Sequence, residues 1–184
     1  RERAKHMDAT DVAGLWRAEH HSQREGYEVL PNLSQTGLWL ATQIKKLKFG
    51  GAFNVLPMWH PIRMAEDYAM ADIVTEGRVI LGVGRGYHTR EVETFGAPLI
   101  DAEKNRDFFE EQLQLLLTCF NEPEFKFKGK FYECPPEVEY RGYTLKDITL
   151  VPRPKNLPVE IWEPIDSGKT IDMMAEYGLE GIVT

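Results

Sequence analysis

Cysteine is scarce in this sequence. Cys119 and Cys134 are the only two among 184 residues, and their contexts match neither a metal ribbon nor a redox pair. That argues against a disulfide-stapled scaffold and a zinc module, and it suits a reducing cytoplasm with both thiols in structural roles. Positive charge is short as well: 22 Lys and Arg face 29 Asp and Glu, a formal net charge of −7 with no basic stripe. Nucleic acid and anionic membrane surfaces are therefore not expected as partners. No apolar run approaches the roughly 20 residues that cross a bilayer, and no low-complexity tract or internal repeat is present.

What the chain does have is an alternation of strand-like and helix-like segments, the pattern of a parallel sheet covered by helices, which fits either a partial (β/α)₈ barrel or a doubly wound sheet. Strands are predicted at 14–20, 48–56, 79–84, 159–163 and 181–184. Between them helices are predicted at 34–44, capped by Ser34, at 61–74 behind Pro61, at 101–119, and at 168–177. A loop rich in Glu, Gly, Pro and Asn follows the first strand. Residues 121–158 break the rhythm. They are rich in proline, aromatics and lysine, and 125–134 alternates around Lys128-Gly129-Lys130, so a hairpin is expected there. Lying between a helix and the next strand, that insertion should sit at the N-terminal end of the sheet, away from chemistry. The chain starts without methionine inside a helix-like pattern and stops in a strand-like one, so an incomplete chain is expected.

The most informative stretch is Gly77 to Tyr87, where an apolar run enters Gly82, Gly84 and Gly86 with Arg85 among them. It reads as a buried parallel strand whose carboxyl end, the ligand end in α/β proteins, leaves room for something bulky and anionic. A dinucleotide fingerprint would need a glycine where Tyr87 stands, so glycines that make space at a barrel mouth fit better. Arg85 needs a partner: a phosphate, or a salt bridge to Glu91 or Glu93. Strand alternation puts Trp16, Ala18 and His20 on one face, with Arg17, Glu19 and His21 on the other. His20 is thus a candidate proton-transfer residue facing the barrel interior, or a hydrogen-bonded structural histidine. Adjacent histidines on opposite faces do not share a metal readily, and no metal is expected. Asp166-Ser167-Gly168 precedes a helix, either as an anion site built on free N–H groups or as a plain cap. Asp166 would have to offer its backbone there, because its carboxylate would repel a phosphate.

Taken together, Ala18-Glu19-His20-His21, Leu56-Pro57 with His60-Pro61, Ala65-Glu66-Asp67 with Asp72, Gly77 through Gly86, and Phe95-Gly96 resemble the bacterial luciferase-like flavin monooxygenases. Pro152-Arg153-Pro154, Pro158 and Gly178-Leu179 extend the likeness over nearly the whole chain. The resemblance implies an α/β fold, a (β/α)₈ TIM barrel, of which residues 1–184 would form one domain truncated at both ends, supplying about strands two to six. It implies reduced FMN delivered by a separate flavin reductase, reaction with O₂ through a flavin peroxide, and oxidation of a small organic substrate. By the same resemblance His20 matches the catalytic histidine, and Arg85 and Ser167 would hold the FMN phosphate with Thr170 nearby. The Ala52-Phe53 bond aligns with a non-prolyl cis peptide beneath the flavin. An F420-dependent oxidoreductase of the same fold and a non-catalytic flavin-binding relative are the alternatives. Where luciferase carries a reactive cysteine this sequence has Gly84, which argues against light emission. A homo- or heterodimer is also implied, with Trp39 and Tyr68 as candidate contacts or as residues packed on the barrel.

Overall fold

The computed structural model describes residues 2–24 and 30–183, so part of the loop expected after the first strand, and the last residue of the expected fifth strand, lie outside the described residues. In chain order the first elements are α1 (Glu2–Asp8), β1 (Gly14–Arg17), α2 (Leu33–Ala41), β2 (Lys48–Gly51) and β3 (Asn54–Val55). A single turn at Leu56–Met58 leads to α3 (Pro61–Val74), β4 (Val79–Gly84), α4 (Thr89–Val92) and α5 (Ala102–Asn121). Two small ladders follow, β5 (Phe127–Lys128) with β6 (Glu133–Cys134), and β7 (Glu139–Tyr140) with β8 (Tyr143–Thr144). The described chain closes with β9 (Ile161–Ile165), α6 (Gly168–Tyr177) and β10 (Glu180–Val183).

The main sheet runs β1-β2-β4-β9-β10, every pair parallel, with β3 joined to β4. Helices form the crossovers, as parallel neighbours require. The sheet is curled. Trp16 on β1 and Trp162 on β9 meet edge to face with ring centroids 5.3 Å apart, although three strand spacings in a flat sheet would separate them by about 14 Å. Both rings must therefore point into a concave interior, and the architecture is an α/β half-barrel. On the convex side Leu81, Val83 and Ile161 pack against Phe109, Leu113 and Phe120 of α5 and Met64 of α3 to form the main core. Ala4, Leu40, Ile44, Leu47 and Phe49 make a second core under α1 and α2.

Several boundaries follow the sequence reading and others depart for local reasons. Both α3 and β4 span the expected residues. Asn32, not Ser34, caps α2: its Oδ1 accepts the N–H of Gln35 at 2.7 Å, which puts Ser34 inside the first turn. That helix stops at Ala41 because the Arg78 guanidinium donates to the carbonyls of Ala41 and Ile44, at 3.3 and 3.2 Å. Strand β1 ends at Arg17 because Glu19 and His20 have turned into the cleft described below. The expected second strand is split into β2 and β3. Gly50 pairs with Ile80 and Asn54 with Val83, so four steps on one strand oppose three on the other, a bulge with the cis Ala52-Phe53 bond inside it. Gly82 lies under this bulge, where a Cβ would stand 1.8 Å from the Gly51 carbonyl oxygen.

The hairpin expected within 125–134 forms as β5–β6, but its turn does not stay at the far end of the sheet. Glu111, midway along α5, accepts the N–H groups of Lys130, Phe131 and Tyr132 at 2.7–2.8 Å. Next to it Gln112 donates to the Trp59 carbonyl and the Tyr132 hydroxyl, both at 2.9 Å. The insertion is thus laid back along α5 to the layer that supports the cleft. Tyr68, expected as a subunit contact or a core residue, is the latter: it is buried and meets Phe120 edge-on at 5.5 Å, whereas Trp39 is exposed. Cys119 and Cys134 are free and buried, and burial pushes the Cys119 thiol up to about 12.

Candidate functional site

A cleft of about 450 Å³ opens at the carboxyl ends of β1, β3, β4 and β9, the end of a parallel sheet where side chains from several strands converge. Its apolar lining mixes small residues, Ala18, Ala52, Gly84 and Gly86, with Phe53, Val55 and Pro164. Gly84 leaves room for the Phe53 side chain at 3.3 Å from where its own Cβ would be, and Ala52, Phe53 and Val55 line the same surface. Gly86, at φ +81°, turns the chain out of β4 in a left-handed conformation, and a Cβ there would sit 2.7 Å from Val55 and Val92. The glycine run therefore makes space at the mouth, as the sequence reading favoured, but at Gly82 the space is filled by the neighbouring backbone.

One end of the cleft holds a chain of proton-carrying groups. His20 is buried, with Nδ1 3.1 Å from Oε1 of Glu91 and Nε2 3.1 Å from the Tyr87 hydroxyl. A carboxylate oxygen accepts, so Nδ1 carries the proton, and in the neutral ring Nε2 accepts from Tyr87. The other Glu91 oxygen accepts the His21 backbone N–H at 2.7 Å, which locks the carboxylate in place. Below this, Glu19 accepts from His21 Nε2 at 2.9 Å, from the Val55 N–H at 2.6 Å and from Trp59 Nε1 at 2.9 Å. The Glu19–His20–His21 triplet thus anchors β1 to β3 through one residue and aims the next at the cleft. His20, His88 and Glu91 bring one donor atom each within 4.8 Å of one another. The carboxylate and His20 in that set are already engaged with each other, His21 and Tyr87, which makes a hydrogen-bonded relay the better description.

The other end pairs a cation with an acid, and Asp166, expected to offer only its backbone, turns its carboxylate to Arg85. Arg85 leaves β4 and pairs not with Glu91 or Glu93 but with Asp166, at 2.7 Å, with Asn105 of α5 at 3.4 Å. Glu93 is occupied elsewhere, accepting the N–H groups of Leu99 and Ile100 at 2.7 Å each. Ser167 caps α6, its Oγ accepting from the Thr170 N–H at 3.3 Å, and the Thr170 hydroxyl bonds the Asp166 carboxylate. Burial acts to raise the Asp166 carboxyl, but hydrogen bonds from Thr170, Arg85 and Ser167 outweigh it and hold the group below the usual range. Glu163 of β9 lines the cleft beside them and is 2% exposed; burial pushes its carboxyl up to about 8.

The structure brings His20, Ala52, Phe53 and Arg85 into one cleft; Ser167 and Thr170 follow Asp166 at the start of α6 but do not line it, and Thr170 is buried. Sequence reasoning missed Glu91, Tyr87 and Glu163. The first two stand just beyond the glycine strand, the signal that could have drawn attention to them. Glu163 is an isolated acid in a strand otherwise apolar from Ile161 to Ile165, a pattern with its own message.

A model of luciferase-like monooxygenases matches residues 1–183. The chain belongs to that family. Among curated relatives, the flavin-dependent trigonelline monooxygenase oxygenase component of Acinetobacter baylyi is 28% identical over 70% of this chain and 34% of its own length. The alkanal monooxygenase alpha chain of the Kryptophanaron alfredi symbiont is 34% identical over 92% of this chain and 43% of its own. Among solved structures, the oxygenating constituent of 3,6-diketocamphane monooxygenase from Pseudomonas putida, in complex with FMN, shares the fold with a TM-score of 0.76 at 23% identity. That match covers 99% of this chain and 50% of the other, so this luciferase-like chain spans about half the length of the protein it superposes on. Among its described residues no helix is long and apolar enough to cross a membrane.

Proposed function

We propose that the cleft binds FMN and that the chain serves a flavin-dependent monooxygenation in which a small organic substrate is oxidised by O₂. The observation that carries this reading is the polarity of the cleft: Arg85, paired with Asp166 just ahead of α6, at one end, the apolar Phe53, Val55 and Pro164 along it, and a proton relay at His20. These residues fit the group. Arg85 would take phosphate oxygens by its guanidinium fork, sharing or exchanging Asp166, and the free N–H groups at the start of α6 add an electropositive end. Ala52 and Phe53 would support the flavin ring on a backbone platform. When bound, reduced FMN supplies the electrons with which O₂ is activated for oxygen transfer.

The chain's own residues supply the rest. His20, held in one tautomer by Glu91, accepts or returns a proton at Nε2, and Tyr87 connects that nitrogen to the cleft's outer edge. Burial of His20 and Glu91 shields the inner link of the relay, while the exposed Tyr87 meets solvent at its outer end. We further read residues 1–184 as one barrel domain with 121–158 as an insertion, working as a dimer with a separate reductase that supplies reduced FMN.

Replacing Arg85 with Ala should weaken FMN far more than riboflavin in parallel binding titrations. Equal losses for both would refute the phosphate role. Binding of F420 but not FMN would replace monooxygenation by hydride transfer, and FMN binding without substrate oxidation in any reductase-coupled assay would point to a binding module.

A further inference from the structure

Glu163 is a buried carboxyl with an unanswered oxygen. Its Oε2 has no hydrogen-bond partner among the described residues, and the residue lines the cleft at the Arg85 end. Its charged neighbours come from three places: Arg85 beyond β4, Asp166 ahead of α6, and Arg106 on α5. Orphaned buried polar atoms are costly and uncommon, and at the edge of a binding cleft a ligand oxygen is the natural complement.

We propose that Glu163 is a ligand of the phosphate monoester and that its proton gates the site: as the neutral acid it donates its O–H to a phosphate oxygen beside Arg85, and as a carboxylate it turns the phosphate away. This rests on the reading that Arg85, Ser167 and Thr170 form the phosphate end. The charges support it. Arg85 and Arg106 against Asp166 leave one net positive charge when Glu163 is neutral and none when it is ionised. Burial raises the carboxyl, Arg85 opposes that, Asp166 adds to it and Arg106 opposes it, with a result of about 8. An acid raised in this way is neutral at pH 7 and loses its proton as pH rises through 8, so the donor is present at neutral pH and lost in mild alkali.

The test is a fluorescence titration of oxidised FMN and of riboflavin with the wild-type chain, Glu163→Gln and Arg85→Ala, from pH 7 to pH 9. Wild-type affinity for FMN should fall about tenfold over that range while riboflavin affinity stays level, because one proton is needed per phosphate bound. Glu163→Gln keeps a donor and cannot ionise, so its preference for FMN should be flat with pH. A wild-type preference that is flat from pH 7 to 9 but abolished by Arg85→Ala refutes the gate and leaves the phosphate end standing. Parallel falls in wild type and Glu163→Gln also refute the gate. FMN and riboflavin bound equally at pH 7, or neither bound, removes the phosphate reading and the gate with it. Infrared spectroscopy gives a second readout that does not depend on binding: a protonated-carboxyl band at pH 7, lost near pH 8 and missing from Glu163→Gln. Its absence from the wild type at pH 7 overturns the proposal.

Discussion

At the scale of single residues, the arrangement around His20 makes Glu91 a positioning residue. A glutamine at that position could donate as well as accept, and it would no longer force the proton onto Nδ1. Glu91→Gln should therefore slow single-turnover substrate oxidation by about 10²–10⁴-fold, with FMN binding little changed. Tyr87→Phe removes the outer link to His20 and leaves the Glu91 bond in place, so it should cost less. Glu163 predicts an effect on stability as well. The folded acid binds its proton more tightly than the unfolded one, so its burial costs increasingly more as pH climbs from the ordinary carboxylate range toward 8. Glu163→Gln should accordingly raise the melting temperature at pH 8 and change it little at pH 5, a comparison that calorimetry can make. His20 was legible from its place just past the first strand and from the family resemblance; alternation did not place it, because β1 ends at Arg17 and Glu19 and His20 both line the cleft. Glu91 was not, because the bond that gives it meaning joins residues 71 positions apart.

At the scale of elements, α3 and β4 were readable from periodicity, a flanking proline and an apolar run of strand length. The bulge between β2 and β3 was not, since a bulge exists only in the register between two strands. It nevertheless explains one of the glycines. Gly82→Ala would drive a methyl group into the Gly51 carbonyl, a backbone atom that cannot swing aside, and should cost about 3 kcal/mol or more in chemical denaturation. The insertion is tied to α5 by a carboxylate that collects three N–H groups. Glu111→Ala would leave those donors without their acceptor, and a loss of about 2–4 kcal/mol is expected, with the 130–132 amides exchanging faster with solvent. That tie was invisible in the sequence. Alternation and a Lys-Gly-Lys turn announce a hairpin, but nothing local says which side chain of a distant helix will receive it.

At the scale of the whole molecule, five parallel strands in sequential order curl far enough to bring Trp16 against Trp162. The order was implied by the alternation of segments; the curl came from the family resemblance, because curvature is a sum of small twists that no single residue encodes. A ligand that bridges the mouth from β1 to β9 should stiffen the whole arc. At a hundredfold excess over its dissociation constant, FMN should raise the melting temperature by about 5–10 °C, and riboflavin at the same concentration by less. A rise of equal size for both would show that the ring alone is recognised. The glycines of the cleft have a consequence for variation. A Cβ at Gly84 would stand 3.3 Å from the Phe53 Cβ, so only a small side chain has room there, and Gly86, at φ +81° with Val55 and Val92 2.7 Å from its would-be Cβ, resists any. Variation in the shape of this cleft therefore falls to Phe53, Val55 and Pro164 and to the polar residues at its two ends, while the two glycines hold the chain's path between them.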